Sequence, residues 1–180
     1  TSVFTTAPHR ANSVLFSALA SPRSRVVFLG TPSSGSDRNL ESLRSLTFEH
    51  VSISDLIQVE CERSSTLGSA VAKAHRAGFS VSDETVIAIV RKWFWSRRAG
   101  RGFLLQGFPA NPAQAMVFDE WLEARGETLD CVVQVGAGHP ETEATAAHYA
   151  RQAILVRIEA DELDALSIPA REEKEALALA

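Results

Sequence analysis

A three-layer α/β/α fold built on a five-stranded parallel sheet flanked by helices is what this sequence predicts, and three observations carry the prediction. Five short apolar runs recur along the chain, each leads into a segment of helical character, and glycines or prolines punctuate the joins. Continuous rather than alternating apolar runs belong to strands buried on both faces. Strands that alternate with helices make a parallel sheet with helices above and below it.

The elements can be justified in order. The first run, Arg25-Val26-Val27-Phe28-Leu29, leads into a turn from Gly30 to Gly35. The second is weaker, His50-Val51-Ser52-Ile53, and runs into Asp55-Leu56-Ile57. A helix from Ser65 to Ala77 stops at Gly78, a residue suited to the left-handed position after a helix. Ser82-Asp83-Glu84 opens the next helix with a capping hydroxyl and an acidic first turn, and Arg91, Lys92, Arg97 and Arg98 are expected at its positive end. The third strand is Gly102-Phe103-Leu104-Leu105, ended by Gly107-Phe108-Pro109. Pro112 belongs in the first turn of a helix through Met116, Phe118 and Trp121 to Gly126. The fourth and fifth strands are Cys131 to Val135 and Ile154 to Ile158, and the tail from Asp161 reads as one or two helices interrupted near Pro169.

A chain of 180 residues suits one domain. A net charge of −4 and a pI near 5.7 argue against a general nucleic-acid binder, which carries a basic face. No apolar run approaches the roughly 18 residues of a membrane span. Cys61 and Cys131 are too few for a disulfide framework or a metal cluster, and His9, His50, His75, His139 and His148 show no ligand spacing. These features point to a reducing compartment, the cytoplasm. The first 36 residues hold no Asp or Glu but carry Arg10, Arg23 and Arg25, a composition that resembles a mitochondrial or plastid transit peptide. The preferred reading is an N-terminal extension, residues 1–24, packing Val14, Leu15, Phe16 and Leu19 as a short amphipathic helix. Trp93, Phe94 and Trp95 are consecutive, so one of them should face outward on a helix, a candidate for self-association or a protein partner.

The chemistry is expected after the first strand. Gly30-Thr31-Pro32-Ser33-Ser34-Gly35-Ser36-Asp37-Arg38 has the layout of a phosphate-binding loop, in which backbone N–H groups and a helix N-terminus cradle an anion. Two glycines at that spacing are weak on their own. Three further segments follow in order: Ser52-Ile53-Ser54-Asp55-Leu56-Ile57, then Gly78-Phe79-Ser80-Val81-Ser82-Asp83-Glu84, then Gly102 to Pro109 with Gln114-Ala115 behind it. Together they resemble the adenylate kinase family of nucleoside-monophosphate kinases, in the P-loop NTPase superfamily, where the segments read roughly GxPGxGKGT, STGDLLR, GxLVxDE and GFLLDGFPR-x₃-QA. His148-Tyr149-Ala150-Arg151 through Ile158 is similar to that family's last helix and strand.

The resemblance implies roles. Gly30, Pro32 and Gly35 match positions that wrap the donor phosphates, and Ser52 and Asp55 the start of the monophosphate-binding flap. Gly78 and Val81 match the strip over the acceptor base. Gly107, Phe108 and Pro109 match the turn beside the acceptor phosphate, and Gln114 the residue that reads the adenine edge. The competing reading is structural: glycines for turns, Val81 and Phe108 for core, Gln114 as a solvated helix residue. The resemblance makes 25–180 an adenylate-kinase-like domain with a truncated lid region.

The departures fall on charged groups. Ser36 replaces the loop Lys, and Asp37 and Arg38 replace the next Gly and Thr. Ile53, Ser54 and Gln58 stand where STGDLLR has Thr, Gly and Arg. Gln106 replaces the Asp that positions magnesium through water, and Ala110 the Arg after GFP. Residues 136–153 are all that separate the last two strands, where the family inserts a mobile lid with arginines, and Arg151 is their one arginine. Asp37, in a first helical turn, is placed to fill the phosphate socket with a carboxylate.

Phosphoryl transfer rests on positioning and charge neutralisation, and one arginine is worth up to about 10⁵ in rate. The preferred reading is therefore a catalytically impaired or inactive relative, with weak or no nucleotide binding and no certain cofactor. The alternative is an active kinase passing the ATP γ-phosphoryl group to AMP, with Mg²⁺ and unusual residues. Rescue would come from Arg38 folding back, or from Arg97, Arg98 or Arg101 on the acceptor side; no residue is assigned as catalytic and no metal ligands are assigned.

Overall fold

Five strands pair in parallel in the order β2-β3-β1-β4-β5: β1 is Arg25–Leu29, β2 Glu49–Ser52, β3 Phe103–Gln106, β4 Cys131–Val135 and β5 Leu155–Ile158. The structure is a computed structural model that describes Leu15, Ser17, Ala18 and residues 21–30 and 49–159. The expected loop residues 31–38, the tail from Asp161, and Val14, Phe16 and Leu19 lie outside the described residues. Among the described residues, five helices of defined bounds accompany the sheet, beside the helical positions Leu15, Ser17 and Ala18: α1 Ile53–Glu62, α2 Thr66–Arg76, α3 Asp83–Ser96, α4 Pro112–Ala124 and α5 Pro140–Arg151.

Local chemistry sets the helix starts. Ser52, Ser65, Ser82 and Asn111 each accept a hydrogen bond through the side chain from a backbone N–H in the first turn of α1, α2, α3 and α4. Because Ser52 caps α1, the second strand ends there and Ile53 is already helical, whereas the sequence pattern carries the strand one residue further. Helix α2 closes as foreseen: Gly78 has φ +73, the Gly78 N–H donates to the His75 carbonyl and the Phe79 N–H to the Ala74 carbonyl.

The two faces of the sheet carry separate apolar layers. Val27, Leu29, Leu105 and Val132 meet Val90, Trp93, Phe94, Phe118, Trp121 and Tyr149 from α3, α4 and α5. On the other face Val26, Phe28, Leu104, Cys131, Val133 and Ile158 are joined by Leu15 and Ala18, so the segment before β1 contributes to the core. Trp93 and Phe94 point inward and Trp95 is 44% exposed, as a run of three aromatics on a helix requires.

Of the basic residues expected at the positive end of α3, Arg91, Lys92 and Arg98 are exposed and Arg97 is buried. Arg97 is the residue that ends the helix, in extended conformation, and its side chain turns inward to pair with Glu127, both side chains being 4% exposed. The guanidinium lies over Phe94 and Phe103, with ring centroids at 4.6 and 4.8 Å. The Gly100 N–H donates to Glu127 at 2.8 Å. Burial raises the Glu127 carboxyl, but the Gly100 amide and the Arg97 guanidinium outweigh it and hold it below its usual value.

The position of this pair matters for function. The Gly102 N–H donates to the Pro22 carbonyl and Arg25 pairs in register with Phe103, so residues 97–102 lie at the amino ends of β1 and β3. Arg97, Arg98 and Arg101 are therefore at the opposite edge of the sheet from the strand ends where phosphate was expected, and their proposed rescue of the acceptor side is withdrawn. Removing one partner of a buried ion pair strands the other's charge. Glu127→Ala is expected to lower stability by about 3–5 kcal/mol, measured by urea unfolding of both proteins.

Candidate functional site

The central strand β1 is flanked by β3 on one side and β4 on the other, so chain connections leave it in both directions. In an open parallel sheet, that reversal opens a crevice at the carboxyl ends of the strands. Gly30 ends β1 with φ +83, Gly107 ends β3 with φ +81, and the Gly107 N–H donates to the Phe28 carbonyl at 3.4 Å. Gly30 is the single expected loop residue among those described; the site residues Thr31, Pro32, Ser33, Ser34, Gly35, Ser36, Asp37 and Arg38 lie outside them.

Of the residues expected on the acceptor side, Ser52 and Gly107 lie at the ends of the neighbouring strands β2 and β3. Ser52 ends β2 and uses its hydroxyl to accept from the Asp55 N–H at 3.1 Å. A side chain at Gly107 would meet Ile53, whose Cγ2 lies 2.6 Å from where that Cβ would stand. Strand end β2 and strand end β3 are thus in contact through Ile53, the residue that stands in place of a family threonine. Gln58, in place of the family arginine, donates to Glu62 at 2.8 Å along its own helix.

Gln114 is not the solvated helix residue of the structural reading. It is 1% exposed, and both ends of its amide are engaged. Its Oε1 accepts from the Ala110 N–H at 2.8 Å, and its Nε2 donates to Asp83 at 3.0 Å. Asn111 donates to the other oxygen of Asp83 at 2.7 Å. Asp83 opens α3 directly after the Gly78–Val81 strip, so these bonds tie that strip to the start of α4. Gly78 is exposed and Val81 half-buried. Phe108 is fully buried and stacks on Trp121 with ring centroids 6.4 Å apart, and Pro109 is buried beside it; both anchor the turn to the core.

Glu143, the partner of Gln134 on β4, is not among the residues that the sequence pattern singles out. The connection from Val135 to Pro140 is short, and α5 begins over the carboxyl end of the sheet, with Thr142 3.8 Å from a Cβ placed on Gly30. Glu143, in the first turn of α5, receives hydrogen bonds from Gln134, from the Gly138 N–H at 3.1 Å and from Arg157 at 3.0 Å. The Gly138 amide, with Gln134 and Arg157 behind it, overcomes desolvation and holds the Glu143 carboxyl below its usual value. Gln134 is 1% exposed, and its Oε1 has no hydrogen-bond partner among the described residues. The signal available was the polar Gln134 within an otherwise apolar run.

The five parallel strands flanked by helices agree with the fold that the resemblance implies. The adenylate kinase family profile matches residues 28–166. The chain belongs to the adenylate kinase family.

Among curated relatives, the adenylate kinase of Moorella thermoacetica is 34% identical over 112 residues, which is 62% of this chain and 52% of that protein. That of Streptomyces coelicolor is 36% identical over 120 residues, covering 66% and 54%. That of Xanthomonas euvesicatoria pv. vesicatoria is 35% identical over 113 residues, covering 62% and 60%. The chain spans little more than half the length of the curated adenylate kinases it matches. No helix among the described residues is long and apolar enough to cross a membrane, and no cluster of three or more His, Cys, Asp or Glu there is arranged to hold a metal.

The lowered Glu143 value has a consequence for stability. A carboxyl depressed in the folded state stabilises above its unfolded value, and that contribution disappears as pH falls through the folded value. Glu143→Gln is expected to lower stability by about 1 kcal/mol at neutral pH. The two proteins should converge in acid, read from urea unfolding across a pH series.

Proposed function

We propose that this protein is an adenylate-kinase-like fold whose phosphotransfer activity is impaired or lost and whose nucleotide binding is weak or absent. The observation that carries the reading is the carboxylate of Glu143, held by the Gly138 amide and Arg157 just beyond β4, on the same first turn of α5 whose Thr142 lies 3.8 Å from a Cβ placed on Gly30. An ATP polyphosphate needs fixed cations at that place. Arg157 is there, but it is spent on Glu143 at 3.0 Å. The lid with its arginines, which the family carries between these strands, is reduced here to residues 136–153.

The groups the family would use do not fit the described residues. Magnesium favours carboxylate and phosphate oxygens, and the residue at the end of β3 is Gln106, a neutral amide. On the acceptor side Ile53 sets a methyl against Gly107 where a hydroxyl is expected, and Gln58 offers no charge. No phosphoryl transfer step is derived through ATP or magnesium. The proposed donor loop is the degenerate segment Gly30 to Arg38, with Asp37 as an internal anion. The proposed monophosphate site is Ser52, Asp55, Gly78, Val81, Gly107, Phe108, Pro109 and Gln114. The proposed domain runs from 25 to 180, with 1–24 as an extension held to the sheet by Leu15 and Ala18; a cytoplasmic location rests on composition, with mitochondrion or plastid as the alternative.

A second reading, an active kinase with unusual residues, is favoured by the family profile's match across residues 28–166. Gln114 does not add to it, being 1% exposed with both ends of its amide engaged by Asp83 and Ala110. The two readings part in a coupled assay with ATP, AMP and Mg²⁺. Turnover in the usual kinase range of about 1–100 s⁻¹ would establish the second; the expected result is none above background. In calorimetric titration with AMP, Gln58→Arg combined with Ile53→Thr is expected to tighten binding roughly tenfold or more, one charge-assisted contact being regained, without restoring turnover.

A further inference from the structure

The outer face of α3 carries Trp95, the outward-facing member of the aromatic run, and takes no part in the core. Glu84, Ala88, Arg91 and Trp95 follow one another at helical spacing and line an open groove together with Ile87 and Lys92. Lys92 is committed within the chain, its ammonium 2.7 Å from Glu60 on α1. Glu84 and Arg91 form no ion pair among the described residues. Trp95 is 44% exposed, and Phe79, just before the helix, is 72% exposed.

We propose that this face is a two-fold contact between two copies of the chain, with the α3 helices antiparallel and crossing at Ala88. The argument is self-complementarity. An isologous dimer brings each patch against itself, so residues on one side of the crossing meet those on the other. Glu84 lies about 6 Å before Ala88 along the axis, at about 1.5 Å per residue, and Arg91 lies a similar distance beyond it. An antiparallel partner therefore sets each free acid of one copy against the free guanidinium of the other, twice over. Ala88 at the crossing allows the axes to approach to about 8–10 Å. Trp95, at the end of the stripe, then reaches toward the partner's helix start, where Phe79 is exposed. A parallel pair would set Glu84 against Glu84 and Arg91 against Arg91, which like charges disfavour. The contact borders the proposed monophosphate site, since Phe79 lies within the Gly78–Val81 strip and Glu84 follows the Asp83 that holds Gln114, but it requires no turnover of nucleotide.

The test is sedimentation equilibrium of the full chain up to roughly 100 μM, a range that captures micromolar association. A reversible dimer is expected. Ala88→Arg should abolish it by blocking the crossing. Glu84→Arg should weaken it by roughly tenfold or more, because symmetry counts each repulsive pair twice. The charge exchange Glu84→Arg with Arg91→Glu should restore it. All these positions are helical and surface-facing, and circular dichroism checks that each variant is folded. A monomer at every concentration overturns the proposal, as does a dimer indifferent to Ala88→Arg, or one that the charge exchange fails to restore.

Discussion

The pairing of β1 on both of its edges is the constraint on which the rest of the molecule depends. A strand hydrogen-bonded to β3 on one side and β4 on the other, with apolar side chains on both faces, can only be central. Its neighbours must then be reached by connections that diverge, and the divergence leaves the crevice at Gly30. Two separate apolar layers hold the arrangement, and the larger is a ring-to-ring contact of Phe94, Phe103, Phe108, Phe118 and Trp121. The turn 107–109 is fixed because Phe108 belongs to that layer.

Charge is distributed differently at the two ends of the strands. At the amino ends of the strands, Arg97 is buried over aromatic rings and neutralised by Glu127, where it stabilises the fold and can touch no phosphate. At the carboxyl ends the described charges include Asp55 in the first turn of α1, Glu143 in that of α5, and the Arg157 that pairs with Glu143. A fold tolerates this because glycine turns and apolar layers are sufficient to form the crevice, and the cations of a kinase serve transfer rather than folding.

Much of this was legible in the chain. The strands Arg25–Leu29 and Cys131–Val135 follow directly from their apolar runs, and Ser65, Ser82 and Gly78 announce helix ends by chemistry that acts within a few residues. The end of β2 was misplaced because the apolar pattern of His50 to Ile53 and the cap at Ser52 compete, and the cap decides. Gln114 looked like a solvated residue on one reading because its partners, Asp83 and the Ala110 amide, include a residue from another helix. The partner of Arg97, Glu127, is likewise distant in the chain, 30 residues on.

The sequence by itself determined the class of fold, the order of its motifs and the loss of charged residues at family positions, since each of these is written in local pattern and residue type. Only the tertiary structure decided which groups meet: that Glu143 closes on Gln134, Gly138 and Arg157, that Ile53 presses on Gly107, and that Arg97 is spent at the far edge of the sheet. Such contacts join residues distant in the chain, and no local propensity encodes them. They follow from the pairing order of the strands, which brings the ends of β1, β2, β3 and β4 to one edge and leaves the start of β3 at the other.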